Sequence, residues 1–184
     1  FETNMVYSLW CAREKMVDQE VIISYGDICY SSDILARLKQ DNGEVSVAID
    51  KGWLNYWKAR FDDPLDDAES LKINTQGHIT EIGREIRSMS DVDGQYLGLV
   101  KLSVSGVSRL LDTIEMISSC GIEVNGRRFE DMYLTDLLDY MIGQGVEINA
   151  VEINRNWVEI DDMQDRELAE RISVLEDGKI TFKE

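Results

Sequence analysis

The sequence predicts an α/β fold built on a mixed central sheet. Two observations carry this. Strand-like and helix-like segments alternate through the first third of the chain, at 21–28, 31–43, 44–50 and 53–61. A hairpin pattern at 71–83 then breaks the alternation, before helices and strands return.

Each element follows from local chemistry. In "NMVYSLWCAREKM", Met5, Leu9, Ala12 and Met16 recur at helical spacing, so 4–16 reads as a helix. "VIISYGDI" reads as a buried strand over 21–28 that delivers Asp27 near its tip. "SSDILARLKQDNG" has a serine cap, apolar Ile34, Leu35 and Leu38, and a stop at Asn42 and Gly43. "EVSVAID" alternates as a strand, and "WLNYWKARF" is a short aromatic helix. "DDPLDDAES" reads as a solvated acidic loop; it lacks the glycine and ligand spacing of an EF-hand.

The hairpin at 71–83 turns at Gln76 and Gly77, and 95–103 is a further strand. Two amphipathic helices, 104–121 and 129–145, each close on glycine. Then come a strand at 146–153 and a short strand that leads into a last helix, 156–175, with Asp161 or Asp162 near its cap. With no repeat and no linker, residues 1–184 read as one domain.

The net charge of -17 repels a phosphate backbone and argues against nucleic-acid binding. Cys11, Cys29 and Cys120 are odd in number and carry no CxxC spacing, which points to a reducing cytoplasm rather than a disulfide framework. No apolar run reaches membrane-spanning length, so no membrane partner is expected.

Asp27, after a glycine, and Glu159 with Asp161, two apart in "WVEID", supply carboxylates at two strand ends. If the ends converge, the three make an oxygen-rich site suited to Mg²⁺. The competing reading is local: a turn aspartate after glycine, and a helix cap at Asp161 or Asp162. Trp53, Trp57, Tyr133 and Trp157 lie close in sequence to acids such as Asp131 and Glu159. They suit either a cage for an ammonium group or ordinary core packing. His78, the only histidine, follows the hairpin glycine and gives no support to a catalytic triad.

Taken in order, "ETNMVYSLWCA", "VIISYGDICY", "VAIDKGWLNYWKARFDDPLDDAESL", "HITEIGRE", "DGQYLGLVKLS" and "NWVEIDDMQD" resemble the nucleotidyltransferases that include phosphocholine and aminoethylphosphonate cytidylyltransferases. The resemblance implies a Rossmann-like (GT-A-like) three-layer sandwich with a mixed central sheet. It implies Mg²⁺ held by Asp27, Asp161 and Glu159, with Asp27 and Asp161 catalytic. It implies transfer of a nucleotidyl group, cytidylyl from CTP, to a small phosphorylated or phosphonylated amine, with loss of pyrophosphate. It raises Trp53, Trp57, Asp131, Tyr133 and Trp157 as a cage for the acceptor's cationic head, and Asn4 and Ser8 as remnants of the nucleotide edge.

One departure stands out. Members of the family begin with a strand and a glycine-rich GxGxR-like loop, followed by a Pro-Lys segment, and nothing before Phe1 supplies them. The expectation is therefore an N-terminally truncated domain, prone to self-association as a homodimer along an uncovered sheet edge. A sugar-phosphate nucleotidyltransferase and a non-catalytic binding domain stand as the alternatives.

Overall fold

A computed structural model describes residues 3–86, 88–176 and 179–183. The centre is a four-stranded sheet in the order β1 (Val21–Ser24), β6 (Gln95–Leu102), β3 (Val45–Asp50), β7 (Ile148–Ile153). Strand β3 runs parallel to β7 and antiparallel to β6, and β1 runs antiparallel to β6, so the sheet is mixed.

Side chains alternate across β3 and β6 and feed two separate cores. Val47, Ile49, Val100 and Leu102 face one core, built with α1 (Met5–Cys11), α4 (Val104–Cys120) and α5 (Leu134–Gly143). Ala48, Leu97 and Leu99 face the other, built with α2 (Ser32–Gln40), α3 (Trp53–Arg60) and α6 (Met163–Ile172). The architecture is a helix–sheet–helix sandwich of Rossmann-like kind. Every residue of β3 is buried, which marks it as the central strand.

Three two-stranded ribbons complete the chain: β2 (Ile28–Tyr30) with β8 (Trp157–Glu159), β4 (Leu71–Ile73) with β5 (Ile79–Ile82), and β9 (Ser173–Glu176) with β10 (Lys179–Phe182). The β4–β5 hairpin turns where the sequence places it. Gly77, at φ +84°, donates to Asn74 O at 3.0 Å, and the Asn74 side chain accepts from Gln76 N and His78 N. Helix α4 starts on Ser103, whose Oγ accepts from Gly106 N, and ends on Gly121 at φ +64°.

Four expectations need correction. The helix foreseen over 4–16 ends at Cys11, and a 3₁₀ turn follows at Arg13–Lys15. The helix foreseen over 129–145 starts only at Leu134, after a 3₁₀ turn at Phe129–Asp131. The last helix stops at Ile172 and the chain continues as the β9–β10 hairpin.

The fourth matters for function. The single strand foreseen over 21–28 is two strands in different sheets. Strand β1 is an edge of the main sheet with Ile22 exposed, and the chain bends at 25–27 before β2 joins β8. Tyr25 N still bonds Gly98 O at 2.9 Å, and Asp27 O accepts from Ile160 N at 2.9 Å. Asp27 thus sits where the chain crosses from the main sheet to the β2–β8 ribbon. Among the described residues no helix is long and apolar enough to cross a membrane.

Candidate active site

The bend at 25–27 and the end of β8 bring three acids together. One carboxylate oxygen each from Asp27, Glu159 and Asp161 lie within 4.8 Å of one another. Pairing of Ile28 with Glu159 in the β2–β8 ribbon fixes this proximity. The cap of α6 is Asp162, whose side chain accepts from Gln164 N at 2.7 Å and Asp165 N at 3.0 Å, so Asp161 is left for the cluster. Asp27 and Asp161 are exposed and Glu159 is half-buried.

An octahedral Mg²⁺ with oxygens near 2.1 Å needs ligand oxygens no more than about 4.2 Å apart. The spacing of the three carboxylates is close to that range. An all-oxygen donor set suits a hard divalent cation.

Arg60, on the last turn of α3, pairs with two of these acids, Glu159 and Asp161, and with Asp165. Its Nη1 donates to Glu159 Oε2 at 2.6 Å and its Nη2 to Asp161 Oδ2 at 2.7 Å. Nε and Nη2 together grip Asp165, at 2.8 and 2.9 Å. Burial disfavours the guanidinium charge, but the hydrogen bonds to Asp165 and Glu159 outweigh it and raise the Arg60 pKa. Burial pushes the Glu159 carboxyl up, Arg60 opposes this, and the nearby Asp161 and Asp27 charges add to it. Asp165 moves the other way, because Arg60 and the Asp161 N–H overcome its burial and lower it.

A cleft of ≈ 250 Å³ opens beside Glu159. Its walls include Tyr25, Trp57, Tyr96 and Tyr133, and its charged lining residues are Asp67, Glu69 and Glu159, all acidic. Tyr25 and Tyr96 meet edge to face at 5.7 Å. Burial, then the neighbouring Asp136, raises the Glu69 pKa. Gln95 Oε1 and Trp57 Nε1, on two other lining residues, are buried without a partner among the described residues. A groove of ≈ 1250 Å³ along α4 shares no residue with this cleft.

Of the five aromatic and acidic residues foreseen around an acceptor, the structure brings Trp57 and Tyr133 to the cleft. Trp53 and Trp157 are buried in the aromatic core of α3 and β8; Trp53 packs on Trp57, and Trp157 packs on Tyr56 and Trp57. Trp157 Nε1 is engaged by Asp50. Asp131 pairs with Arg128 at 3.6 Å on the surface. Neither Asn4 nor Ser8 lines the cleft: Asn4 caps α1 and Ser8 bonds the Asn4 carbonyl, while Met5 between them reaches the wall.

Four residues of the site are not legible from spacing. Arg60 reads as one basic residue on an aromatic helix. Asp165 reads as one more acid near the start of the last helix. Tyr25 is hidden within the "YGD" triplet. Glu69 ends an acidic run that stays exposed at Asp62, Asp63 and Asp66, and its position beside a short strand is the only hint that it turns inward.

Comparison with known proteins now adds to this geometry. No protein-family model matches the sequence. The fold is similar to that of the inositol-1-phosphate CTP transferase of T. maritima, at TM-score 0.64 and 17% identity over 89% of this chain and 58% of that one. It is also similar to the CTP:phosphocholine cytidylyltransferase of Streptococcus pneumoniae, at TM-score 0.57 and 17% identity over 93% and 64%. The chain thus spans about three fifths of the solved structures it matches. These likenesses show the fold, a Rossmann-like α/β sandwich.

Sequence carries the second step. The chain is 38% identical over 172 residues to the CTP:phosphoglutamine cytidylyltransferase of Campylobacter jejuni, covering 91% of this chain and 67% of that protein. It belongs to the nucleotidyltransferase family.

Proposed function

We propose that this protein is a Mg²⁺-dependent cytidylyltransferase that moves a cytidylyl group from CTP to a small phosphorylated acceptor carrying an amine or amide, with release of pyrophosphate. The observation that supports it is the meeting of Asp27, Glu159 and Asp161 beside an acid-lined aromatic cleft. The similarity to a CTP:phosphoglutamine cytidylyltransferase supports the same chemistry.

Asp27, Glu159 and Asp161 would hold the cation. When bound, Mg²⁺ supplies charge to offset the triphosphate oxygens and the departing pyrophosphate. An acceptor phosphate is already ionised near neutral pH, so the attacking oxygen requires alignment rather than a general base. His78 accordingly lies at a hairpin turn away from the cleft.

The cleft acts on the acceptor's other end. Its acidic lining disfavours a second anionic group and favours an ammonium or amide. Glu69 accepts a donated hydrogen, and the ring faces of Trp57 and Tyr133 bound the space.

The test is pyrophosphate release with CTP and Mg²⁺ over a panel of phosphoglutamine, phosphocholine, 2-aminoethylphosphonate and glucose 1-phosphate. Release with a nitrogen-bearing acceptor and little with the sugar phosphate is expected. No release from any acceptor, or equal rates with UTP and GTP, sinks the proposal.

A further inference from the structure

We propose that Arg60, anchored by Asp165, is the positioning residue of the metal-holding carboxylates, fixing one oxygen each of Glu159 and Asp161 so that the other oxygen faces the ion. The inference rests on reading Asp27, Glu159 and Asp161 as the cation's ligands.

Arg60 is built to be immobile. Its side chain is 1% exposed. Asp165 takes Nε and Nη2 in a two-point fork, a planar match that only a guanidinium makes. The guanidinium carbon lies 4.9 Å from the Phe61 ring centroid, 5.2 Å from Trp57 and 5.6 Å from Tyr56, so rings close off its faces. Once the Asp165 edge is locked, Nη1 and Nη2 can point only at Glu159 Oε2 and Asp161 Oδ2.

A second grip lies one helical turn earlier on α3. The Tyr56 hydroxyl accepts from Glu159 N at 2.9 Å and donates to Glu159 O at 3.1 Å. Both backbone polar groups of Glu159 and one of its carboxylate oxygens are thus held by a single helix. Asp27 differs: its carboxylate makes no hydrogen bond or ion pair among the described residues.

Geometry and charge make opposite predictions, which allows a clean test. If Arg60 acted only as a counter-charge it would compete with a cation, and a lysine would serve as well. If it positions, Arg60→Lys keeps the charge and loses the fork. Tyr56→Phe changes no charge and frees the Glu159 backbone.

The experiment is Mn²⁺ binding to the whole chain by titration calorimetry and electron paramagnetic resonance, with circular dichroism as the fold control. Arg60→Lys is expected to weaken Mn²⁺ about 10-fold or more, in line with the effect of groups that orient metal ligands, and Tyr56→Phe to weaken it by a smaller factor. In turnover, the Mn²⁺ concentration for half-maximal rate should rise by a similar factor. A folded Arg60→Lys protein that binds Mn²⁺ as tightly as wild type overturns the proposal. If that variant does not fold, an unchanged affinity in Tyr56→Phe overturns it instead. Absence of Mn²⁺ binding by the wild-type chain defeats the ligand reading itself, and the positioning role with it.

Discussion

Trp157 Nε1 donates to Asp50 Oδ2 at 2.9 Å, tying the strand that carries the acids to the end of the central strand β3. Asp50 is fully buried, and its other oxygen accepts from Gly52 N at 2.8 Å and Arg155 N at 2.9 Å. It thereby also holds the left-handed pair Arg155 and Asn156, at φ +63° and +67°, that joins β7 to β8.

Asp50→Ala leaves three donors, the buried Trp157 Nε1 and the part-buried Gly52 N and Arg155 N, without their acceptor. Hydrogen bonds to a charged group each contribute about 1.5 to 3 kcal/mol net. The variant should lose about 3 kcal/mol or more in urea denaturation, and Asp50→Asn should lose less, because one oxygen remains. A loss near zero for the alanine variant would show that the strand is held elsewhere.

Asp27→Ala acts differently. The side chain is exposed and unpaired among the described residues, so stability should change by less than about 0.5 kcal/mol. Turnover should fall at least ~100-fold, since one of three cation ligands is gone. Thermal melts with and without Mn²⁺ separate the two effects: wild type should be stabilised by the ion and the variant should not.

Glu69→Gln should stabilise the protein at high pH. Burial and the Asp136 charge raise the Glu69 pKa above its usual 4.5, against the opposing Thr135 hydrogen bond and the Arg127 charge. A carboxyl raised in the folded state binds its proton more readily there, so its contribution is favourable at low pH and lost as pH rises through the folded value. Glutamine removes that pH-dependent loss. The melting temperature of the variant should exceed wild type at pH 8, with the gap closing as pH falls toward 4.5. A gap that is constant with pH would show that the carboxylate is solvated.

Gly98→Ala should cost about 2 kcal/mol, from a left-handed backbone and a steric overlap together. Gly98 has φ +77°, and an added Cβ would lie 2.4 Å from Tyr25 Cγ. Because both residues line the cleft, the near-ultraviolet circular dichroism of the tyrosines should change as well. Urea denaturation measures the first effect.

Much of the fold was legible because its signals are local. Gly121 stops α4, Gln76 and Gly77 mark the hairpin, and alternation marks β3 as a strand. The errors fall where local pattern is silent. "VIISYGDI" has the composition of one strand, and only pairing with two different partners, β6 and β8, divides it. The aromatic cluster has the composition of a cage, yet Trp53 and Trp157 fill the core because the α3–β8 contact encloses them.

Local pattern was enough for the α/β class, most element boundaries and the carboxylate-bearing strand ends, since those depend on residues within a turn or two of each other. Tertiary structure alone decided which acids meet, which aromatics face the cleft, and that Arg60 answers Asp165 across 105 residues. The physical reason is that such contacts are set by strand order and by helix packing across the sheet, which no short window of the chain contains.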